Sequence, residues 1–190
     1  MLVIVDGGDC TGKTTVAKIC LRIFNILFLD SKNVIYKPII TTQFLSKYHS
    51  RVLSDHEYIT SFVINTIICD MLSLFKKEIL ENKLNLVIDR FHYSEEVYGY
   101  IRGKTLQNFS DIERFLIQFD PIVFYCRCKN KNFLTKKLKK RKEKYIQEAY
   151  ELFDKVFQKT ILNYVTIDIS RQSRKTIAEI VYSIIKFKHK

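Results

Sequence analysis

Residues 7–14 read Gly-Gly-Asp-Cys-Thr-Gly-Lys-Thr, two separated glycines followed by a lysine and a hydroxyl residue. They follow the apolar run Leu2-Val3-Ile4-Val5 and lead into a stretch of helical patterning, Thr15-Val16-Ala17-Lys18-Ile19-Cys20. A G-x-x-x-x-G-K-[ST] pattern between a strand and a helix is a phosphate cradle. Gly7 and Gly12 let the backbone curl until successive amide N–H groups face inward, and the helix that follows adds its N-terminal partial positive charge. Lys13 is then expected to reach the β- and γ-phosphates of a bound triphosphate, and the Thr14 hydroxyl to ligate Mg2+. Gly7, Gly8, Asp9, Cys10, Thr11, Gly12, Lys13, Thr14 and Thr15 are the expected contacts for ATP.

A second constellation follows the run Leu86–Ile88: Asp89-Arg90-Phe91-His92-Tyr93-Ser94-Glu95-Glu96-Val97-Tyr98-Gly99. An acid and an arginine at the carboxyl end of a strand set a carboxylate and a bidentate phosphate clamp beside the loop that carries Lys13. A plain ion pair at a helix entrance is the alternative, and the phosphate-binding loop weighs against it.

The elements that must hold these groups alternate. Apolar runs fit strands at Leu2–Val5, Val34–Tyr36, Leu86–Ile88, Ile122–Cys126 and Val165–Ile167. Helical patterns fill Thr15–Leu29, Glu57–Leu80, Asn132–Arg141, Gln147–Leu162 and Lys175–Phe187, the last capped by Ser173. Ser110-Asp111-Ile112-Glu113 has the form of a capping box that opens a helix reaching Phe119. Alternation of this kind predicts an α/β fold, a five-stranded parallel sheet with helices on both faces and ligands at the carboxyl ends of the strands. The Glu57–Leu80 segment is apolar nearly all round, which suits deep burial or a partner subunit. No repeat or Gly/Ser linker divides the chain, so residues 1–190 are expected to form a single domain.

The chain has 190 residues, 47% of them hydrophobic, and a net charge of +12. Lys129 to Lys144 holds nine basic residues against one acid, Glu143. A basic run invites a nucleic-acid-binding NTPase as one reading. The aromatics that would stack bases are not interleaved there, since only Phe133 falls in the run. No export signal or convincing membrane span is visible. The five cysteines lack metal spacing, and Cys126-x-Cys128 within a strand suits buried thiols, which points to a cytoplasmic protein. His92 is expected to be a wall of the pocket, and His49, His56 and His189 structural.

The two constellations together resemble the thymidylate kinases, and more broadly the P-loop nucleoside and nucleoside-monophosphate kinases. The loop with its acid at Asp9, the Asp89-Arg90-Phe91 segment with Ser94 and Tyr98, and Phe119-Asp120-Pro121-Ile122 are similar to that family's motifs. So are Leu134-x-x-x-Leu138-x-x-Arg141, Gln147-Glu148 and Phe153-x-Lys155-Val156, and Ile167-Asp168. The resemblance implies a P-loop kinase fold with a short helical lid at about 139–147 and phosphoryl transfer from ATP to a deoxynucleoside monophosphate, dTMP above all. It implies that Asp9 contacts the acceptor's sugar hydroxyl, that Arg90 holds its phosphate and that Asp89 organises Mg2+ together with Thr14. It also implies that Arg141 in the lid closes over the transferring group. Lys13, Asp89 and Arg141 are thus the expected catalytic residues, with Asp9, Lys37, Phe62, Asp89, Arg90 and Tyr98 around the acceptor. Family members pair through helices near Glu57–Leu80, which implies a homodimer, with neither a nucleic acid nor a membrane as partner. The sequence departs from the pattern at Cys10, at Ile68-Cys69-Asp70 in place of a helix arginine, and at Tyr36-Lys37-Pro38. A deoxynucleoside kinase, whose acceptor is a neutral 5′-hydroxyl, remains the nearest alternative, with Asp89 as its base.

Overall fold

A strand buried on both faces has no polar alternation, and Leu2–Gly7 (β1) is buried at every position. The computed structural model describes residues 1–28, 39–41, 57–101, 109–130, 132–134 and 146–189. In it β1 lies between Leu86–Asp89 (β3) and Ile122–Arg127 (β4), with Tyr164–Asp168 (β5) beyond β4. These four strands form the body of a parallel sheet, and the three-residue strand Ile39–Thr41 (β2) extends it at the β3 edge, giving the order β2-β3-β1-β4-β5. Val5 lies opposite Asp89, and Gly7 lies opposite Cys126. That register brings the end of β1, and so the phosphate-binding loop, level with Asp89.

Seven helices are described: Lys13–Phe28 (α1), Glu57–Leu74 (α2), Lys76–Leu80 (α3), His92–Ile101 (α4), Ser110–Ile117 (α5), Ile146–Lys159 (α6) and Arg174–His189 (α7). Strand side chains alternate between the two sheet faces. Val3, Val5, Phe124 and Ile167 pack with Val16, Cys20 and Phe24 of α1 and Val181 and Ile185 of α7. Leu2, Ile4, Val123 and Tyr125 pack with Ile68 and Leu72 of α2, Val97 of α4, Leu116 of α5 and Phe153 of α6. Among the described residues no helix is long and apolar enough to cross a membrane. No disulfide joins the cysteines, and Cys126 and Cys128 are buried.

Several elements differ from the sequence reading. The run Val34–Tyr36 lies outside the described residues, and the edge strand falls after Pro38, at Ile39–Thr41. The segment Glu57–Leu80 is two helices that meet at Phe75, whose φ of −101° and ψ of 17° leave the helical region. The break turns Ile79 into the core while Leu74 and Phe75 face outward. The expected capping box does not form: Phe109 occupies the cap position, no side-chain cap bond closes it, and Ser110 is already helical. Glu113, the acid of that box, is engaged elsewhere. It accepts from the Thr160 hydroxyl and, at 3.1 Å, from Ile161 N, and so ties α5 to the end of α6. Ser173 does cap α7, accepting from Thr176 N at 3.1 Å.

Candidate active site

The loop after β1 is shaped by residues in left-handed conformations. Gly7 has φ +140°, and a Cβ there would stand 2.0 Å from the Cys126 carbonyl oxygen, so neighbouring β4 admits only glycine. Gly12, at φ +80°, starts α1, and its carbonyl accepts from Thr15 N and Val16 N at 2.9 and 3.0 Å. Cys10 is also left-handed, at φ +61°. The Gly8 carbonyl accepts from the Thr11 hydroxyl at 2.6 Å and from Lys13 Nζ at 2.5 Å. Lys13 is only 5% exposed. Burial pulls its pKa down to about 8, with Arg90 adding to the effect and Asp9 and Asp6 opposing it. Its ammonium rests on a backbone carbonyl inside the loop, where an entering phosphate chain would displace it from a weak partner to a strong one.

Asp89 ends β3 directly beneath this loop. Its Oδ2 accepts from the Thr14 hydroxyl at 3.0 Å, while its buried Oδ1 has no hydrogen-bond partner. Burial raises the Asp89 pKa, against the pull of the Thr14 hydroxyl and of Lys13 and Arg90. An orphaned carboxylate oxygen beside a threonine hydroxyl fits a hard divalent cation. Mg2+ takes one or two such protein oxygens and completes its octahedron with water and phosphate oxygens. Among the described residues no three His, Cys, Asp or Glu side chains converge as a separate metal cage.

Asp9 is the centre of the second half of the site. Its carboxylate accepts from Arg90 Nη2 on one oxygen and from the Tyr98 hydroxyl on the other at 2.8 Å, with Lys13 Nζ 3.9 Å away. Burial works to raise the Asp9 pKa, but Arg90 and Lys13 outweigh it and hold the carboxyl below its usual range. Burial works to lower the Arg90 pKa, and Asp9 more than reverses it. The Arg90 guanidinium also lies 5.9 Å from the centre of the Tyr98 ring. From α6, the Tyr150 hydroxyl donates to the Asp9 carbonyl. Strand β3 with α4, and then α6, therefore grip the loop from one side.

Asp6, a residue not foreseen as part of the site, fixes this geometry. Its Oδ1 accepts from Gly7 N at 2.7 Å and from the Ser94 hydroxyl, and its Oδ2 accepts from Phe91 N at 3.0 Å and Ser94 N at 3.1 Å. The last residue before the loop thus caps α4 from another strand. Arg90 sits between these anchors at φ +73°, its N–H donating to Val5 O at 2.9 Å. An acid in an otherwise apolar buried strand was the signal that could have found Asp6, because a buried carboxylate requires donors. Farther along, Tyr125 and Arg127 donate to Asp154 at 2.7 and 2.9 Å and so bind β4 to α6.

The structure brings together Gly7 to Thr15, Asp89, Arg90 and Tyr98. Phe62 lies on α2. Lys37 and Arg141, with most of the lid segment 139–147, lie outside the described residues. His92 is not a pocket wall: it is 1% exposed, with its Nε2 3.5 Å from Glu113 and its ring against Tyr93.

No family model matches the sequence, and no curated protein matches it. Solved structures do resemble the fold. The YorR protein of Bacillus subtilis, solved in complex with phosphorylated GDP, superposes with a TM-score of 0.68 at 21% identity, over 100% of this chain and 98% of that one. Thymidylate kinase from Ehrlichia chaffeensis gives 0.57 at 17% identity over 99% and 98%. Thymidylate kinase from Candida albicans gives 0.56 at 17% identity over 99% and 92%. The described residues have the fold of these proteins, two of which are thymidylate kinases.

Proposed function

We propose that the protein is a nucleotide kinase that moves the γ-phosphoryl group of ATP to a deoxynucleoside monophosphate, dTMP to dTDP in the first instance. The observation that carries this reading is the Asp9–Arg90–Tyr98 cluster, a carboxylate and a guanidinium held together at the lip of a phosphate cradle. A phosphate with an adjoining sugar hydroxyl satisfies both: the hydroxyl donates to Asp9, and Arg90 turns its guanidinium to the phosphate. Resemblance of the whole fold to two thymidylate kinases supports a nucleotide as acceptor.

In this reading Lys13 and the amides of residues 7–14 hold the donor phosphates. Thr14 and Asp89 would hold Mg2+, which would supply charge neutralisation at the phosphates. Arg141, in a lid at about 139–147, closes over the transferring group in place of any arginine at Cys10. A monophosphate oxygen is already an anionic nucleophile, so Asp89 need not serve as a base; alignment and charge neutralisation carry the rate. Residues 1–190 act as a single cytoplasmic domain. Two copies pair through the 57–80 segment, where Ile67 and Leu74 stand 46% and 79% exposed. Sedimentation at micromolar concentration should give twice the 22.6 kDa chain mass, and Ile67→Asp should return it to one.

A coupled ADP-release assay over the deoxynucleosides and their 5′-monophosphates tests the reaction. Turnover is expected with dTMP and absent with thymidine; turnover with deoxynucleosides alone would overturn the reading in favour of a hydroxyl acceptor. In calorimetry, Arg90→Ala should weaken dTMP binding by about 30-fold or more, the loss expected when a buried hydrogen-bonded charge is removed. Binding of a non-hydrolysable ATP analogue should change by less than about threefold. Equal losses for both ligands would contradict the role given to Arg90.

A further inference from the structure

Asp9 serves the acceptor side through its carboxylate, while its main chain is held from a different element. The Tyr150 hydroxyl of α6 donates to the Asp9 carbonyl. The same ring stands behind Gly8, where a Cβ would come within 3.1 Å of it. One side chain therefore bears on two successive residues of the phosphate-binding loop. Burial pushes the Tyr150 pKa up, with Cys128 and Cys10 adding to the effect, so the hydroxyl keeps its proton and stays a donor.

The helix that carries Tyr150 is anchored close by. One turn farther along α6, Asp154 accepts from Tyr125 and Arg127 of β4 at 2.7 and 2.9 Å, on the same helix face as Tyr150. Phe153 meets Tyr98 edge to face with 5.8 Å between ring centres, and the Tyr98 hydroxyl donates to the Asp9 carboxylate at 2.8 Å. Helix α6 thus reaches Asp9 twice: at its carbonyl through Tyr150, and at its carboxylate by way of Phe153 and Tyr98.

The loop needs that support. Cys10, the next residue, is left-handed at φ +61°, a conformation that a residue with a side chain disfavours and that persists only where its surroundings impose it. The Asp9 carbonyl belongs to the planar peptide that joins Asp9 to Cys10. The bond from Tyr150 therefore fixes the peptide lying between the Asp9 carboxylate and the left-handed turn.

We infer that Tyr150 is a positioning residue for the acceptor: by holding the peptide after Asp9, it keeps the Asp9 carboxylate where Arg90 and Tyr98 converge, and so sets the affinity for a nucleoside monophosphate. This rests on Asp9 and Arg90 receiving the acceptor, as proposed above. If Tyr150 only docked α6 on the sheet, its loss would lower the melting temperature and affect both ligands alike.

Tyr150→Phe keeps the ring against Gly8 and removes the hydroxyl. The probe is whichever of dTMP, dCMP, dAMP and dGMP the wild type binds most tightly in calorimetry. Its affinity should fall about 3- to 10-fold in the variant, the effect of one hydrogen bond, while that of a non-hydrolysable ATP analogue changes by less than about twofold. Asp9→Ala supplies the second comparison, because it removes the carboxylate and keeps the main-chain carbonyl that Tyr150 bonds. In that background Tyr150→Phe should change monophosphate affinity by less than about twofold, since the side chain it acts through is gone. The melting temperature should still drop by about 2–4 °C in both backgrounds, because the bond itself is lost in each. Unchanged monophosphate affinity in Tyr150→Phe, or equal losses for the two ligands, overturns the assignment. So does a monophosphate loss that persists in full in Asp9→Ala. Wild-type protein that binds the ATP analogue and none of the four monophosphates would instead overturn the acceptor reading, and this assignment with it.

Discussion

Lys13→Ala is expected to lower phosphoryl-transfer turnover by about 10²–10³-fold, the usual effect of removing one charged donor from a developing transition-state charge. The fold should survive, because among the described residues Lys13 bonds the Gly8 carbonyl alone and lies 3.9 Å from Asp9. A pH experiment separates the role of Lys13 from general damage. Burial lowers its pKa from 10.5 to about 8, so the native state binds this proton more weakly than the unfolded chain does. Below pH 8 the buried charge destabilises the native state in full, and the burden lifts as pH rises from about 8 towards 10.5. Relative to Lys13→Ala, wild-type stability should therefore climb over that interval. Phosphates entering the loop would favour the charged form, so binding of a non-hydrolysable ATP analogue at about pH 9 should take up protons. Calorimetry in buffers of different ionisation enthalpy reads that uptake, which should vanish in Lys13→Ala. Near-normal turnover by the variant would refute the phosphate site.

The phosphate-binding loop is legible in the sequence because its demands are local. Gly7 must avoid the Cys126 carbonyl, Gly12 must turn into a helix, and Lys13 and Thr14 follow at once. Asp89 and Arg90 are legible for a related reason: a short apolar run ends at a charged pair, and parallel sheets keep their chemistry at that rim. Cooperation between distant segments is harder to read. Glu113 has the spacing of a capping acid, yet Thr160 and Ile161, far along the chain, take its carboxylate. The bend at Phe75 has no glycine or proline to announce it, and in an all-round apolar pattern either face of a helix can turn inward.

His92 and Asn65 show the same limit from the side of polarity. Within the Asp-Arg segment His92 reads as a pocket residue, but α4 directs it into the core, against Tyr93 and within reach of Glu113. Asn65 reads as an interruption in an apolar helix, whereas the structure buries its amide with no hydrogen-bond partner among the described residues. Sequence supplies the type of group in both cases. Only the packing of α2 and α4 on the sheet decides whether it meets a partner among the described residues.

Asp6 carries the largest expected effect on stability, and its conservative replacement should be severe. Asp6→Asn preserves shape and one acceptor oxygen, but the new amide nitrogen replaces Oδ2 and points its hydrogens at Phe91 N and Ser94 N, both donors. Turning the amide over moves the conflict to Gly7 N, since the Ser94 hydroxyl can turn to accept. Either way, buried N–H groups lose an ionised acceptor, at a cost of about 3 kcal/mol. For a domain of this size that lowers the melting temperature by about 6–12 °C. Ser94→Ala removes one donor and leaves three bonds to Asp6, so about 1 kcal/mol should be lost. The two variants also part in function. Asp6 anchors Gly7 on one side of Arg90 and Phe91 on the other, so without its charge the left-handed turn that aims Arg90 at Asp9 loses its support. Acceptor KM should therefore rise more steeply in Asp6→Asn than in Ser94→Ala when both are assayed well below their melting temperatures. Equal melting temperatures for wild type and Asp6→Asn would show that the carboxylate is not what joins β1 to α4.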